Sequence, residues 1–511
     1  MLKTLTAFVL AVLMATAAYA NDYDDAWAAI RKKDFKSAES LLTQAAKNPA
    51  TALDAYLTLA FLHTYRNDET QIRGMADRVA ESSDRNAYLY ALWFNGAMLG
   101  PYGKKKDYQL DLINKIIADP SYNGSIQTAA HYVKSLHYVF SNDFSHARQE
   151  WTAMNTITDW QLTGPFENLS GSGFGNQYGP LANPAPQAVF KGLNNVDVSW
   201  FSPRELNRQG WVFTYGHLPK NSAVVFAQTF VYSPEDRTGL LDVGVNGAVK
   251  VWVNDGLVLS EANERVTELD YYKNSCTLKK GYNRVLLQLA YSDNNGPNFI
   301  LRFADADGRS LPGLTVSSKP QPYAKAADAA QTASLHHFAE EAFEKKIAAD
   351  PANLVNYLLL SQVYLRDHRT TEARELIEKA LARSPENPLL KFELIQCLIK
   401  SGNRNLMLQE IDWLKENDPD NFVNYQLKVE NLMEEEKYAE AAEELERMEQ
   451  LYPEDETMLN TRITLLAKLN KVDELLKLVE DAYSKYPDNA SFVAMMYRIK
   501  KSVRKDSKSA L

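Results

Sequence analysis

The chain has 511 residues, 65 acidic against 56 basic side chains and a formal net charge of −9. At roughly 100–200 residues per domain this is more than one hydrophobic core fills, so about three domains are expected. The acidic balance, heaviest in the C-terminal third, speaks against a nucleic-acid ligand, which calls for clustered Lys and Arg, and with only Cys276 and Cys397, placed far apart, no disulfide framework is expected.

Residues 1–20 have the pattern of a secretory leader: Lys3, an apolar stretch from Leu5 to Ala15, and Ala18-Tyr19-Ala20 before Asn21. Cleavage after Ala20 removes Lys3 and takes the charge from −9 to −10. The apolar run is too short for a spanning helix, and no other stretch approaches the ~20 apolar residues one requires. No cysteine follows the leader to accept a lipid anchor. The mature chain is therefore expected to be exported, first to a periplasm-like space and otherwise to the cell surface or medium, with no transmembrane segment.

Residues 21–155 carry helical spacing, clearest in Ala55 to Tyr65, Asp84 to Leu99, Asp107 to Ala118 and Ile126 to Phe140. Gly100-Pro101-Tyr102-Gly103 and Asp119-Pro120-Ser121 interrupt it. Lys33-Asp34-Phe35-Lys36-Ser37-Ala38 and Asn142-Asp143-Phe144-Ser145-His146-Ala147 are two copies of one phrase, a turn, an aromatic, and a small residue three positions on. Each resembles the middle of a tetratricopeptide repeat, so this segment is read as a worn helical array of five to eight antiparallel helices. His131 and His137, six apart, do not share a helix face as two metal ligands would; His336 and His337 are adjacent and point apart.

After Trp151 the composition changes. Within 156–320, Gly, Pro and Asn rise and apolar residues alternate. Strands are predicted at Trp211 to Tyr215, Val224 to Tyr232, Thr238 to Val245, Ala248 to Val253, Leu257 to Leu259, Ser275 to Leu278, Asn283 to Ala290 and Phe299 to Ala304. Hairpin turns are predicted at Val245-Asn246-Gly247, Asn254-Asp255-Gly256 and Asp305-Ala306-Asp307-Gly308, which together suit an antiparallel β-sandwich. Val249-Lys250-Val251-Trp252-Val253-Asn254-Asp255-Gly256 and Leu278-Lys279-Lys280-Gly281-Tyr282-Asn283-Arg284-Val285 resemble the galactose-binding-like jelly rolls that accompany many glycoside hydrolases. Trp160 to Phe166, with Gly171-Ser172-Gly173-Phe174, resembles the region ahead of the transglutaminase-like module of certain large exported bacterial proteins. These are turn and core motifs and imply a fold before a ligand.

Sugar binding needs exposed aromatic planes beside amides or carboxylates. The candidates are Tyr271 and Tyr272, with Asp293, Asn294, Asn295 and Asn298 on the following loop; the competing reading is an ordinary Asn-rich turn. Asp305 and Asp307 are too few oxygens for Ca²⁺. Gly171-Ser172-Gly173 lacks the spacing of a nucleophile elbow, and His217 has no evident partner in the sequence. Cys276 is read as a strand residue. No catalytic residue, cofactor or metal is assigned.

Five prolines, Pro351, Pro385, Pro419, Pro453 and Pro487, recur every 34 residues. With Tyr357, Leu360, Ser361, Tyr364, Ala373, Ile377 and Ala380 they reproduce the tetratricopeptide pattern, in frames 354–387, 388–421, 422–455 and 456–489. Small residues at Ala373 and Ala441 let paired helices approach closely; the repeat from 388 departs, with Lys391 and Met407 at signature positions. The array spans 326–505, a helix pair before the first frame and a basic capping helix from Ser491 to Arg504, with a tail at 506–511. The resemblance implies a groove lined by the first helix of each repeat: Leu358, Gln362 and Arg366, then Phe392, Gln396 and Lys400, then Gln426 and Glu430, then Asn460 and Lys468. An extended peptide or a partner helix suits such a groove.

The expected fold class is multidomain α and β, α-α superhelical repeats flanking an antiparallel sandwich. The leading expectation for function is a non-catalytic exported scaffold acting through protein contacts. The alternatives are a carbohydrate-binding accessory protein that uses the sandwich, and a hydrolase with a site at a domain junction.

Overall fold

The computed structural model describes residues 22–67, 75–92, 106–203, 209–219, 221–293, 296–325, 334–452, 456–487 and 489–503. The leader, the tail at 506–511 and the candidates Asn294 and Asn295 lie outside them.

Eight helices come first among the described residues: α1 (22–31), α2 (Phe35–Ala45), α3 (Ala52–Tyr65), α4 (Met75–Ala80), α5 (Arg85–Leu92), α6 (Lys106–Ala118), α7 (Gly124–Phe140) and α8 (Phe144–Ala153). The two copies of the turn phrase adopt one geometry. Lys33 and Asn142 take φ of 62° and 58°, and the next residue caps the following helix. Asp34 Oδ1 accepts from the Ser37 amide (3.1 Å) and Asp143 Oδ1 from the His146 amide (3.2 Å), satisfying amides that a helix start leaves free. Ala38 and Ala147 are buried where the helices close up.

The β domain contains β1 (Gln161–Glu167), a four-residue helix α9 (Gly179–Ala182), β2 (Val189–Lys191), β3 (Asp197–Ser199), β4 (Val212–Phe213), β5 (Asn221–Ser233), β6 (Arg237–Val253), β7 (Gly256–Val266), β8 (Tyr272–Leu278), β9 (Gly281–Asp293), β10 (Asn298–Ala304) and β11 (Thr315–Ser317). Nine of these strands form one sheet, in the order β1-β5-β9-β6-β10-β4 with β11 on β5 and β7 and β8 on β6, while β2 and β3 pair separately. Every pair is antiparallel. The sheet curls because β6 changes neighbours along its length: β8 and β10 flank its first half, β7 and β9 its second.

That strand corrects one expectation. Val245-Asn246-Gly247 is not a hairpin; the chain runs straight through it, and Leu241, Val243, Val245, Val249, Val251 and Val253 keep one alternating buried face. Gly247 adopts φ 142° beside a register shift, where an added Cβ would meet the Ala290 carbonyl at 2.9 Å. The glycine thus serves a bend in the sheet rather than a reversal. Asn254 and Asp255, at φ 55° and 68°, do form the predicted turn into β7. Asn283 ties the β8–β9 turn, donating to the Lys279 carbonyl (2.8 Å) and accepting from the Lys279 amide (2.8 Å).

The C-terminal array comprises α10 (Phe338–Ala349), α11 (Val355–Arg366), α12 (Thr370–Arg383), α13 (Pro388–Ser401), α14 (Arg404–Asn417), α15 (Phe422–Glu434), α16 (Tyr438–Leu451), α17 (Glu456–Lys468), α18 (Val472–Lys485) and α19 (Ala490–Arg498), closed by a wide turn over Ile499–Val503. The period is written into the backbone. His368, Gly402, Glu436 and Asn470, 34 apart, occupy the left-handed region at φ 52°, 68°, 59° and 57°. Each turns the chain between the two helices of a repeat, and only one is glycine. Asn387, Asn421 and Asn489 cap the first helices through their side chains. Ala373 and Ala441 are fully buried, and the bulkier Met407 is accommodated partly buried against the core.

The helical and β domains meet at α7. The Gly124 amide donates to the Asp307 carbonyl (2.8 Å), and a Cβ on Gly124 would overlap the Gly308 carbonyl group. Gly124→Ala must push backbone from backbone. It is expected to cost ~1–3 kcal/mol, read as a lower midpoint of urea unfolding.

No helix among the described residues is long and apolar enough to cross a membrane.

Candidate functional site: the repeat groove and its internal occupant

The groove positions of the early repeats are occupied by the chain's own N-terminal helices. A single hydrophobic core runs from Tyr23 through α7 and on through α10 to Leu414 of α14, so two segments separated by the whole β domain pack as one body. The seam is ordered by tyrosines. Tyr23 Oη donates to Asn353 Oδ1 (3.1 Å), Tyr65 donates to Asp418, and Tyr90 donates to both oxygens of Asp367 (3.2 and 3.0 Å). Tyr65 also meets Phe392 edge-on at 5.5 Å, and Tyr88 meets Phe343 the same way. Asn353 donates to Asp54 (2.7 Å), Lys33 to Asn417 (2.8 Å), and Lys346 pairs with Asp84 (2.8 Å).

The predicted groove residues therefore separate into two groups. Leu358 is core, Phe392 packs on Tyr65, and Arg366 donates to the Tyr90 carbonyl, stacks over its ring at 4.4 Å and pairs with Glu268 (3.3 Å). Gln362 is turned to Glu393 (2.8 and 3.0 Å), and Gln396 is half-buried. Lys400 is exposed and reaches the Leu365 carbonyl at 3.5 Å. Gln426 and Asn460 are half-buried, and Glu430 and Lys468 are exposed. Gln426 donates to Glu430 (3.0 Å), and the Lys468 ammonium lies 5.4 Å from the centre of the Tyr438 ring.

The candidate sugar platform is corrected. Tyr272 is buried, and the half-buried Tyr271 stacks on His337 and accepts from Arg369 (3.3 Å), so the two rings do not form an open platform. Tyr271 lies between Tyr272, which it meets edge-on, and His337 at the start of α10. Asn298 is half-buried and bonded to the Gly296 carbonyl (3.0 Å), and Asp293 ends β9 opposite Asn221. Asp305 and Asp307 build their own turn: Asp305 Oδ1 accepts two amides and Asp307 pairs with Arg309. Both thiols are buried and free, pushed up to about 12 by that burial.

Where all three parts meet, buried charges gather that the sequence did not single out. Asp270 receives Arg302 (2.9 and 3.0 Å), Asp242 receives Lys273 (2.8 Å), and Ser125 of α7 bonds to Lys273 (2.9 Å). Burial and the neighbouring Asp270 charge raise the Asp242 carboxyl. Burial opposes charge on Asp270 too, but Arg302 and Lys273 hold it below its ordinary range. One turn away in space, burial and the Glu268 charge push Asp367 up to about 8, and burial raises Glu268 itself. His337 is buried and kept neutral, its Nδ1 accepting from the Ala339 amide (3.3 Å). The space between Tyr90, Ser125, Glu268, Asp270, His337 and Arg366 is about 10 Å³, room for a single water.

Among the described residues, His336, Glu340 and Glu344 are near enough to share a cation. Arg369 already donates to Glu340 (2.6 Å), and the group flanks the start of α10, where the helix dipole favours anions, so ion pairing accounts for it.

Residues 365–427 match the family model of the tetratricopeptide repeat. No curated protein matches the chain. Two solved structures are similar in part. One is a β-glucosidase from Kluyveromyces marxianus in complex with glucose, at 16% identity over 29% of this chain and 16% of that one, with a TM-score of 0.17. The other is the selenomethionine-labelled β-glucosidase of the same organism, at 13% identity over 44% and 23%, with a TM-score of 0.19. The chain thus spans under a quarter of either enzyme, and at these scores the likeness carries no argument. The protein combines C-terminal tetratricopeptide repeats with a curled antiparallel β domain.

Proposed function

We propose that this chain is an exported, non-catalytic scaffold that holds a protein partner in the C-terminal half of its repeat groove. The observation that carries this reading is the internal occupant. At Phe392 and Arg366 the groove already grips helices, through an aromatic edge and an arginine on a backbone carbonyl. Their equivalents one to three repeats on, Gln426, Asn460 and Lys468, stand half-buried or exposed. A partner helix with polar and aromatic side chains suits this stretch, since Glu430 and Lys468 offer one charge of each sign to set its direction. The matched charges at the three-way seam support the non-catalytic part, because the space among them admits no substrate. Export rests on the leader pattern at residues 1–20 and is checked by the N-terminal mass of the mature protein, expected to start at Asn21.

Affinity purification of the full mature chain from a native envelope extract, followed by mass spectrometry, tests the reading. The parent is expected to retain a defined protein that Glu430→Lys/Lys468→Glu retains roughly tenfold less, because reversed charges repel a matched partner. Identical retention by both, or none by either, rejects it.

A further inference from the structure

A cleft of about 710 Å³ opens where α8 and the connector 154–158 face the 310–316 segment of the β domain. Its volume falls in the range of small-molecule sites, and a junction between domains is a usual place for one. Its two walls differ in chemistry. Arg148, Thr152 and Thr156 line one, and Leu311, Leu314 and Val316 line the other. Two groups on the polar wall have no protein partner among the described residues. Thr156 Oγ1 is buried with no hydrogen-bond partner. The Arg148 guanidinium is exposed, and no carboxylate among the described residues pairs with it. Trp151 beside it is already satisfied, its Nε1 donating to Ser135 (2.8 Å), so its ring serves as a fixed wall. Gly210 lets its backbone pass close to the connector, since a Cβ there would stand 3.0 Å from Met154 and 3.3 Å from Thr156 Oγ1.

We propose that this cleft binds a small amphipathic anion, an aliphatic or aromatic body bearing one carboxylate or sulfonate. The apolar body lies against Leu311, Leu314 and Val316. The anionic head meets Arg148, whose planar fork can hold two oxygens at once. A neutral ligand leaves the arginine unmatched, and a cation is repelled by it.

The test uses the full mature chain with 8-anilinonaphthalene-1-sulfonate as a fluorescent probe and dodecanoate as a competitor. A single saturable site is expected, emptied by dodecanoate. Arg148→Gln, a change on an exposed helix face, is expected to weaken the probe about tenfold, as is replacing the probe by its uncharged counterpart N-phenyl-1-naphthylamine. Leu314→Trp fills the apolar wall and is expected to abolish binding. Should its melting curve show a folding defect, Thr152→Trp fills the cleft from the exposed side of α8 and gives the same reading. Absence of a saturable site overturns the proposal, as does binding unchanged in both Arg148→Gln and Thr152→Trp. Equal affinity for the uncharged probe overturns the anionic head.

Discussion

Arg302→Met is expected to destabilise the protein by ~3–5 kcal/mol, the usual consequence of removing one member of a buried ion pair and leaving its partner charged and dry. Arg302 is 1% exposed and ties two parts of the molecule together: Asp270 and the Gly308 carbonyl (2.7 Å) in the β domain, and Ser125 of α7 (3.4 Å). The nearest remaining cation, Lys273, is already bonded to Asp242. Replacing both charges, as in Arg302→Met/Asp270→Asn, is expected to recover most of the loss, since no charge is then buried alone. Midpoints of urea unfolding for the parent, the single variant and the double variant decide it. A single variant that unfolds within ~1 kcal/mol of the parent means that water or Lys273 neutralises Asp270, against this reading of the seam.

Asp367→Asn is expected to stabilise the protein at pH 8 by ~2 kcal/mol or more and to leave it nearly unchanged at about pH 4. In the folded chain the Asp367 carboxyl titrates near 8, driven by burial and then by the Glu268 charge; in an unfolded chain a carboxyl of this kind titrates at about 3.9. Between those values the folded state holds a proton that the unfolded state has released, so stability declines as pH rises from about 4 to about 8. Glu393, pushed up to about 7 by burial, and Glu268, raised for the same reason, act in the same direction. Asparagine keeps the acceptor that Tyr90 needs and never acquires the charge. The check is unfolding across pH 4 to 8: the parent weakens, and the variant weakens less. Equal slopes for the two would assign the pH dependence elsewhere.

What the sequence disclosed is local. The proline ladder and the left-handed turn of each repeat are set by residues within one helix pair, so they recur with the period and can be read in a single pass. The alternation of Leu241, Val243 and Val245 is equally local. Val245-Asn246-Gly247 misled because a dipeptide that commonly reverses a chain also relieves crowding in a bend, and only the distant neighbours Leu289 and Ala290 decide which applies. The groove's occupancy was less legible still, since Tyr65 and Asp418 lie 353 positions apart. One sign of it was present. α11 carries Tyr357, Leu358, Leu359 and Leu360 in succession, apolar around a full turn and all buried, and a helix of that kind needs cover on both flanks. Tyr271 and Tyr272 looked like an open platform for the opposite reason, because nothing near them in sequence reveals that α10 lies over them.

The self-filled half of the groove also fixes which ligands the array can sample. Helices joined covalently to the groove they occupy act at an effective concentration on the order of millimolar, and a free competitor has to exceed that by its own concentration and affinity. Weak or scarce helices in the same compartment are therefore kept off Phe392 and Arg366. Selection among partners passes to the uncovered repeats, where no tethered rival is present among the described residues.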